Sequence, residues 1–112
     1  MVALATALWL GACSPSVPSF DSAVDAARHL EENDVTCTDH TPLPEGSLVE
    51  DSLRCTGDEG NLEIYIFSDE DDMNDWLKVG RGLNGLVTGP DWAIVAGDQA
   101  EAVSSATGGT TN

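Results

Sequence analysis

The chain has 112 residues and a mass of 11.7 kDa, and its 20 acidic against 4 basic side chains give a formal net charge of −16 at neutral pH. This length fits one domain with a single core. So strong a negative charge works against binding nucleic acid or anionic lipid, because cationic side chains supply much of that affinity. A hydrophobic content of 41% is too high for a disordered acidic tail, and it is too dispersed after residue 13 for a membrane-spanning bundle.

The first thirteen residues, MVALATALWLGAC, form an almost wholly apolar run that stops at a segment rich in proline and serine. A helix of this length rises about 20 Å, which is too short for a hydrocarbon core of about 30 Å. An apolar segment of about 7–15 residues that ends in small residues is typical of an export signal. No basic residue precedes Arg28, which departs from usual signals and is explained if a basic segment lies upstream of Met1.

The four residues Leu-Gly-Ala-Cys at 10–13 resemble the lipobox of bacterial lipoproteins. The resemblance implies that Cys13 carries a diacylglyceryl group and becomes the first residue of the mature chain after residues 1–12 are removed. Two acyl chains are enough for stable anchoring. The residues at 13–19 are then a lipid-anchored linker, and the domain lies at the extracytoplasmic face of the cell membrane.

Three cysteines are an odd number, but lipidation of Cys13 leaves Cys37 and Cys55 as an even pair. In a small exported domain such a pair is most simply a disulfide. The alternative is a metal site, but His29 and His40 lack the close spacing that zinc ligands favour. We therefore expect one structural disulfide, with no metal and no cofactor.

Hydrophobic periodicity predicts a helix over 20–33, with Ser19 as its N-cap and Asn33 at its end. Short β-rich segments predict strands at 35–38, 52–56 and 62–67, with a loop over 39–50 and a tight turn over 57–61. In the third strand, aliphatic residues alternate with a mixed and partly aromatic set, which predicts one clear inner face.

A second helix is predicted to begin after Ser68 as N-cap, with Asp71 completing a capping box. Two strands at 83–88 and 92–96 then form a closing hairpin around the turn 89–91. A short final helix is expected within 98–106, followed by a flexible tail at 107–112.

The predicted fold class is α+β: a small single domain over 20–106, with an antiparallel sheet of about five strands, two to three packed helices and one disulfide. This order and composition, most specifically the stretch from Ile64–Phe67 through Trp76-Leu77 to the strand at 92–95, is similar to small secreted lipoproteins of actinobacteria that have no assigned activity. The resemblance implies a compact fold and supplies no catalytic residues.

The acids around the start of the second helix form the densest set of candidate ligands. Their spacing does not match a calcium-binding EF-hand loop, because apolar residues interrupt it and no glycine follows at the required place. A solvated start of a helix accounts for the same residues. We keep them as a candidate surface for a cation or a cationic partner: Asp69, Glu70, Asp71, Asp72 and Asp75.

Two further acidic pairs, Glu50-Asp51 and Asp58-Glu59, are candidates for glycosidase-like chemistry, which needs two carboxylates at a defined separation. They lie in predicted turns or strand edges, where charge is ordinary. The aromatic residues at 65, 67, 76 and 92 are expected in the core, with an exposed aromatic patch as the alternative.

The sequence therefore predicts a membrane-anchored exported lipoprotein that is not an enzyme and acts as a binding module with an acidic surface. A cationic protein, peptide or small molecule is the expected partner, and nucleic acid is not. The alternative is a small cell-envelope hydrolase that uses paired carboxylates.

Overall fold

The computed structural model describes residues 17–44, 46–79 and 83–111. The predicted signal segment 1–12, Cys13 and the first part of the linker lie outside the described residues. The described helices are α1 (Ala23–Glu32), α2 (Glu70–Val79) and α3 (Ala100–Thr107), with a single 3₁₀ turn at Gly97–Gln99 before α3. The described strands are β1 (Thr38–Pro42), β2 (Val49–Gly57), β3 (Gly60–Phe67), β4 (Leu86–Thr88), β5 (Trp92–Val95) and β6 (Thr110–Thr111).

The strands form one antiparallel sheet in the order β1-β2-β3-β5-β4-β6, so the α+β prediction is confirmed with six strands in place of about five. Helices α1 and α3 cover one face of the sheet, which we call the first face. Helix α2 packs on the opposite face, which we call the second face. Both faces are therefore covered, whereas the sequence pattern predicted one inner face.

The first face carries the larger core. Alternate strand residues that include Leu62, Ile64 and Ile94 are fully buried there against Leu30 of α1 and Val103 of α3. The predicted disulfide is present in this core, joining Cys37 to Cys55, and both cysteines are buried. A covalent link across an 18-residue separation adds stability mainly by restricting the unfolded chain.

The second face carries a smaller core around Phe67 and Met73. Met73 is the one buried residue of α2, while Trp76 and Leu77 pack against the sheet with part of their surface in solvent. The rings of Tyr65 and Phe67 lie 4.7 and 5.3 Å from that of Trp76, centroid to centroid. Of the four aromatic residues expected in the core, Phe67 and Trp92 are fully buried and the other two are half-buried.

Helix α1 begins three residues later than predicted, and its N-cap is Ser22 instead of Ser19. Ser22 Oγ accepts from the Asp25 N–H at 3.1 Å, and Asp51 Oδ2 accepts from the Ala23 N–H at 2.7 Å. Ala23 and Asp51 are 28 residues apart, so the sequence around the start of the helix does not reveal this hydrogen bond. The predicted end of the helix at Asn33 is confirmed as its C-cap.

The first strand lies at Thr38–Pro42, so the predictions of a strand at 35–38 and a loop at 39–50 were wrong. Val35 and Cys37 turn into the first-face core, and the chain then pairs with β2 along the edge of the sheet. Pro42 is tolerated because it stands at the end of an edge strand. The loop between β1 and β2 is correspondingly shorter.

At the C-terminus, the predicted flexible tail at 107–112 was wrong for the residues described. Helix α3 runs to Thr107 and is capped by Gly108 in the left-handed conformation, with φ of 81°. Thr110–Thr111 then pairs with β4 as strand β6. At α2, Asp69 Oδ1 accepts from the Asp72 N–H at 2.9 Å, so the capping side chain is Asp69 instead of the predicted Ser68.

Candidate binding groove between α1 and β1

Helix α1 has two different stripes along its length. Ala23, Ala27 and Leu30 are spaced so that they point into the first-face core. The neighbouring stripe of Val24, Arg28 and Glu31 is not covered by the core, and Val24 keeps 46% of its surface exposed. Val24 is thus the one exposed valine of this helix, while its other aliphatic residues are buried.

Strand β1 supplies the other wall. All five of its residues are exposed, because α1 packs on β2 and β3 and leaves the edge strand uncovered. Two adjoining cavities of about 620 and 220 Å³ lie between this strand and α1. Val24 and His40 line both, so the cavities form one depression, which we call the α1–β1 groove.

The floor of the groove is apolar. Val24, Ala27 and Cys37 of the disulfide line its larger cavity, and Ala23 and Leu53 line the smaller one. The disulfide fixes the chain beside α1 at the point where β1 begins, so it sets the width of the groove as well as stabilising the core. The groove is thus built from segments that lie far apart in sequence.

Carboxylates line the groove along its length. Glu31 stands at the end near the C-terminus of α1, Asp51 at the end near its N-terminus, and Asp39 on β1 lines the larger cavity with Glu31. Glu31 Oε2 accepts from the Cys37 N–H at 2.6 Å, and Asp51 Oδ2 accepts from Ala23, so each has one oxygen engaged in holding a groove wall. A carboxylate has two oxygens, and its charge is not removed by one such bond.

Arg28 is the one cationic residue that lines either cavity, and its Nη1 lies 3.0 Å from Asp25 Oδ1. The other two basic side chains in the described parts of the chain, Arg54 and Lys78, also lie beside an acid. The groove therefore presents three carboxylates against one arginine, and that arginine is paired with Asp25. The α1 dipole offsets the charge of Asp51, while the negative helix end reinforces that of Glu31.

His40 shapes the middle of the groove. Its Nε2–H donates to the Cys37 carbonyl oxygen at 3.0 Å, which fixes the proton on that nitrogen because a carbonyl only accepts. Asp39 beside it adopts φ of 54°, a left-handed conformation in which aspartate and asparagine are more tolerated than most residues. His29, the other histidine, lies away from the groove, and its Nε2–H donates to the Ala106 carbonyl oxygen at 2.9 Å, joining α1 to α3.

The five acids predicted as a cation or partner surface lie at α2, on the opposite face of the sheet. Asp69 caps the helix, Asp75 lies 3.6 Å from Lys78 Nζ, and Glu70 and Asp71 are exposed. Within residues 17–44, 46–79 and 83–111, no cluster of three histidine, cysteine or acidic side chains has the geometry to hold a metal ion. Four of these acids, at 69–72, lie at the positive end of the α2 dipole, whereas Asp75 lies in the middle of the helix.

The acidic pairs considered for hydrolysis are separated by the fold. Asp58 and Glu59 form the exposed two-residue turn between β2 and β3. Asp51 caps α1, and its neighbour Glu50 is exposed on β2. The sequence pattern contains no signal for the groove. Val24 belongs to the apolar spacing that predicts α1, and its exposure is seen only in the structure.

No helix among the described residues has the length and apolar character needed to cross a bilayer. Searches with the chain match no protein-family model, no curated protein and no solved structure.

Proposed function

We propose that this chain is an exported, lipid-anchored binding module, and that the α1–β1 groove holds a basic, apolar peptide segment of a partner protein. The observation that carries the proposal is the combination of an apolar floor with three carboxylates and a single arginine, Arg28, that is paired with Asp25. A partner with alternating apolar and basic side chains satisfies both features.

The groove favours insertion of side chains over addition of a seventh strand. The register of β1 against β2 shifts between Thr38 and Thr41, Asp39 has a positive φ, and Pro42 has no N–H to donate. These features interrupt the row of backbone groups that an added strand would need, as edge strands commonly do to avoid unwanted pairing. The partner is therefore held by its side chains in the groove, and not by a continuous backbone ladder.

The charge distribution gives the groove a polarity. The larger cavity has Glu31 and Asp39 in its lining, near the negative end of the α1 dipole. The smaller cavity has Asp51 next to the positive end of the same dipole. A basic side chain of the partner pairs with Glu31 and Asp39 in the larger cavity, where the charge of Arg28 is offset by Asp25, and apolar side chains of the partner pack on Val24.

A fluorescent synthetic peptide that alternates lysine and valine tests this proposal, with a peptide that alternates glutamate and valine as the matched probe. Fluorescence anisotropy should show binding of the basic peptide alone, weakened by added salt because exposed charges are screened. Equal binding of the two peptides would contradict a role for the groove carboxylates.

Two valine variants localise the site. Val24→Lys places a cation on the groove floor, whereas Val79→Lys makes the same change at a valine that is 82% exposed at the end of α2. We expect Val24→Lys to raise the Kd of the basic peptide at least tenfold, about 1.4 kcal/mol, and Val79→Lys to change it by less than about twofold. Loss of binding in both variants, or in neither, would place the site elsewhere.

The buried disulfide supports the exported part of the proposal, because structural disulfides persist in oxidising compartments. The intact mass of protein expressed in bacteria with its own leader tests the anchor. We expect a chain that begins at Cys13 with added diacylglyceryl mass, and two thiols that appear only after reduction. An unprocessed chain with three free thiols would contradict both export and lipidation.

A further inference from the structure

The described chain begins at one edge of the sheet. Trp92 Nε1–H donates to the Pro18 carbonyl oxygen at 2.7 Å, and Val17 lies beside Gly108, next to β6. Val17 also lines a cavity of about 390 Å³ with residues of α2, β4 and β6. The segment that leads to the predicted lipidation site therefore leaves the domain at the β6 edge, which we call the tether edge.

The α1–β1 groove lies at the opposite edge. In the strand order β1-β2-β3-β5-β4-β6, five strand spacings separate β6 from β1. At about 4.8 Å per spacing, the two edges are about 24 Å apart. The β1 wall of the groove is thus at the edge far from the tether, while its α1 wall begins at Ala23, six residues after Val17.

The connection from Cys13 to Val17 is short. Its four peptide units reach at most about 14 Å even when fully extended. A lipid on Cys13 holds the anchor at the bilayer surface, so the tether edge stays within that distance of the headgroups. The reach of this connection is smaller than the separation of the two sheet edges.

Charge favours one orientation within this limit. The chain has a formal charge of −16. An anionic bilayer repels such a domain, and the repulsion is least when the body projects outward from its tether. Lying flat would bring all the acids of one face of the sheet close to the headgroups.

We propose that the tether edge faces the bilayer and the α1–β1 groove faces away from it, so that the groove takes its partner from the aqueous side and not from the membrane. This inference rests on the proposed lipid anchor at Cys13. It assigns the ligand to a protein segment in the surrounding medium, because the β1 side of the groove lies at the sheet edge that points away from the bilayer.

Two single-cysteine variants of the full lipidated protein test the orientation. Thr111→Cys marks the tether edge and Thr41→Cys marks β1, and both threonines are exposed. With Cys13 lipidated and the other pair in a disulfide, the introduced cysteine is the single free thiol in each variant. A donor dye on that thiol reports, by energy transfer, its distance from acceptor lipids in vesicles of phosphatidylcholine and phosphatidylglycerol.

We expect the dye at position 41 to lie farther from the bilayer than the dye at position 111, by at least about 10 Å of the about 24 Å that the strand spacing allows. Equal distances, or a nearer dye at position 41, in protein that floats with the vesicles would overturn the orientation and leave the anchor intact. Protein that fails to float with the vesicles would overturn the anchor, and the orientation with it. Binding of the basic peptide is measured separately and does not depend on either result.

Discussion

On the first face of the sheet, Trp92, Leu30 of α1 and Val103 of α3 are fully buried in the core that contains the disulfide, whereas on the second face α2 buries Met73 and leaves Trp76 half in solvent. The first face therefore holds most of the interactions that stabilise the domain. It is also the face along which the α1–β1 groove runs, so the candidate site stands on the more rigid half of the molecule. Sites on rigid elements keep their geometry better than sites on loosely packed ones.

Replacing Trp92 on the first face and Trp76 on the second face gives the test of this contrast with the largest expected effect. Trp92→Ala removes a fully buried ring and its bond to Pro18, and we expect a loss of about 3–5 kcal/mol in the free energy of unfolding. Trp76→Ala removes a half-buried ring, and we expect about 1 kcal/mol. Urea unfolding followed by circular dichroism measures both, and equal losses would show that the second face is packed as firmly as the first.

Removing the disulfide by replacing both Cys37 and Cys55 with alanine should lower the free energy of unfolding by about 3 kcal/mol, because the unfolded chain regains the freedom of the closed loop. The variant should also lose affinity for the basic peptide, since the disulfide holds β1 beside α1. Thermal unfolding and fluorescence anisotropy measure the two effects. A variant with unchanged affinity would show that the groove does not depend on this link.

The smallest expected effect concerns Tyr65 on the second face. Burial, and then a hydrogen bond from its hydroxyl to Glu63 Oε1 at 2.8 Å, raises the pKa of Tyr65 from 10.0 to about 12. The pKa of Tyr65 is higher in the folded protein than in the unfolded chain. Its contribution to the free energy of unfolding is therefore fully present below pH 10 and is lost as the pH rises through 12.

Tyr65 is the one tyrosine in the chain, so the ultraviolet absorbance of its phenolate gives its titration directly. We expect a midpoint near pH 12, and a lower midpoint in Glu63→Gln, which removes the carboxylate charge. Burial is the larger cause, so the shift in that variant should be partial. A midpoint at 10 in the folded protein would mean that α2 leaves this side chain open to water.

Sequence pattern was sufficient for the features that depend on neighbouring residues. The presence of helix α1, the β2–β3 turn and the pairing of Cys37 with Cys55 could all be predicted, although the predicted apolar stripe of α1 wrongly included Val24. The second-face core was missed because it depends on α2 folding back onto Tyr65 and Phe67, which alternation within one strand cannot show.

Long-range contacts account for the remaining errors. Helix α1 begins after Ser22, where Asp51 of β2 accepts a hydrogen bond from the Ala23 N–H. Strand β6 consists of two threonines that the sequence pattern assigned to a flexible tail, and it forms by pairing with β4. The groove was missed for the same reason. Its walls come from α1 and β1, whose contact the sequence pattern does not show. The prediction placed the candidate partner surface at the dense acids of Asp69–Asp72, on the opposite face.

The most direct test of the α1–β1 groove is a proton–nitrogen correlation spectrum of the isotope-labelled protein, recorded as the lysine–valine peptide is added. We predict that the amide signals of Ala23–Glu32 and of residues 38–41 shift with a common saturation curve, while those of Glu70–Val79 stay in place. Shifts confined to Glu70–Val79, or spread evenly over every acidic segment, would contradict the groove as the binding site.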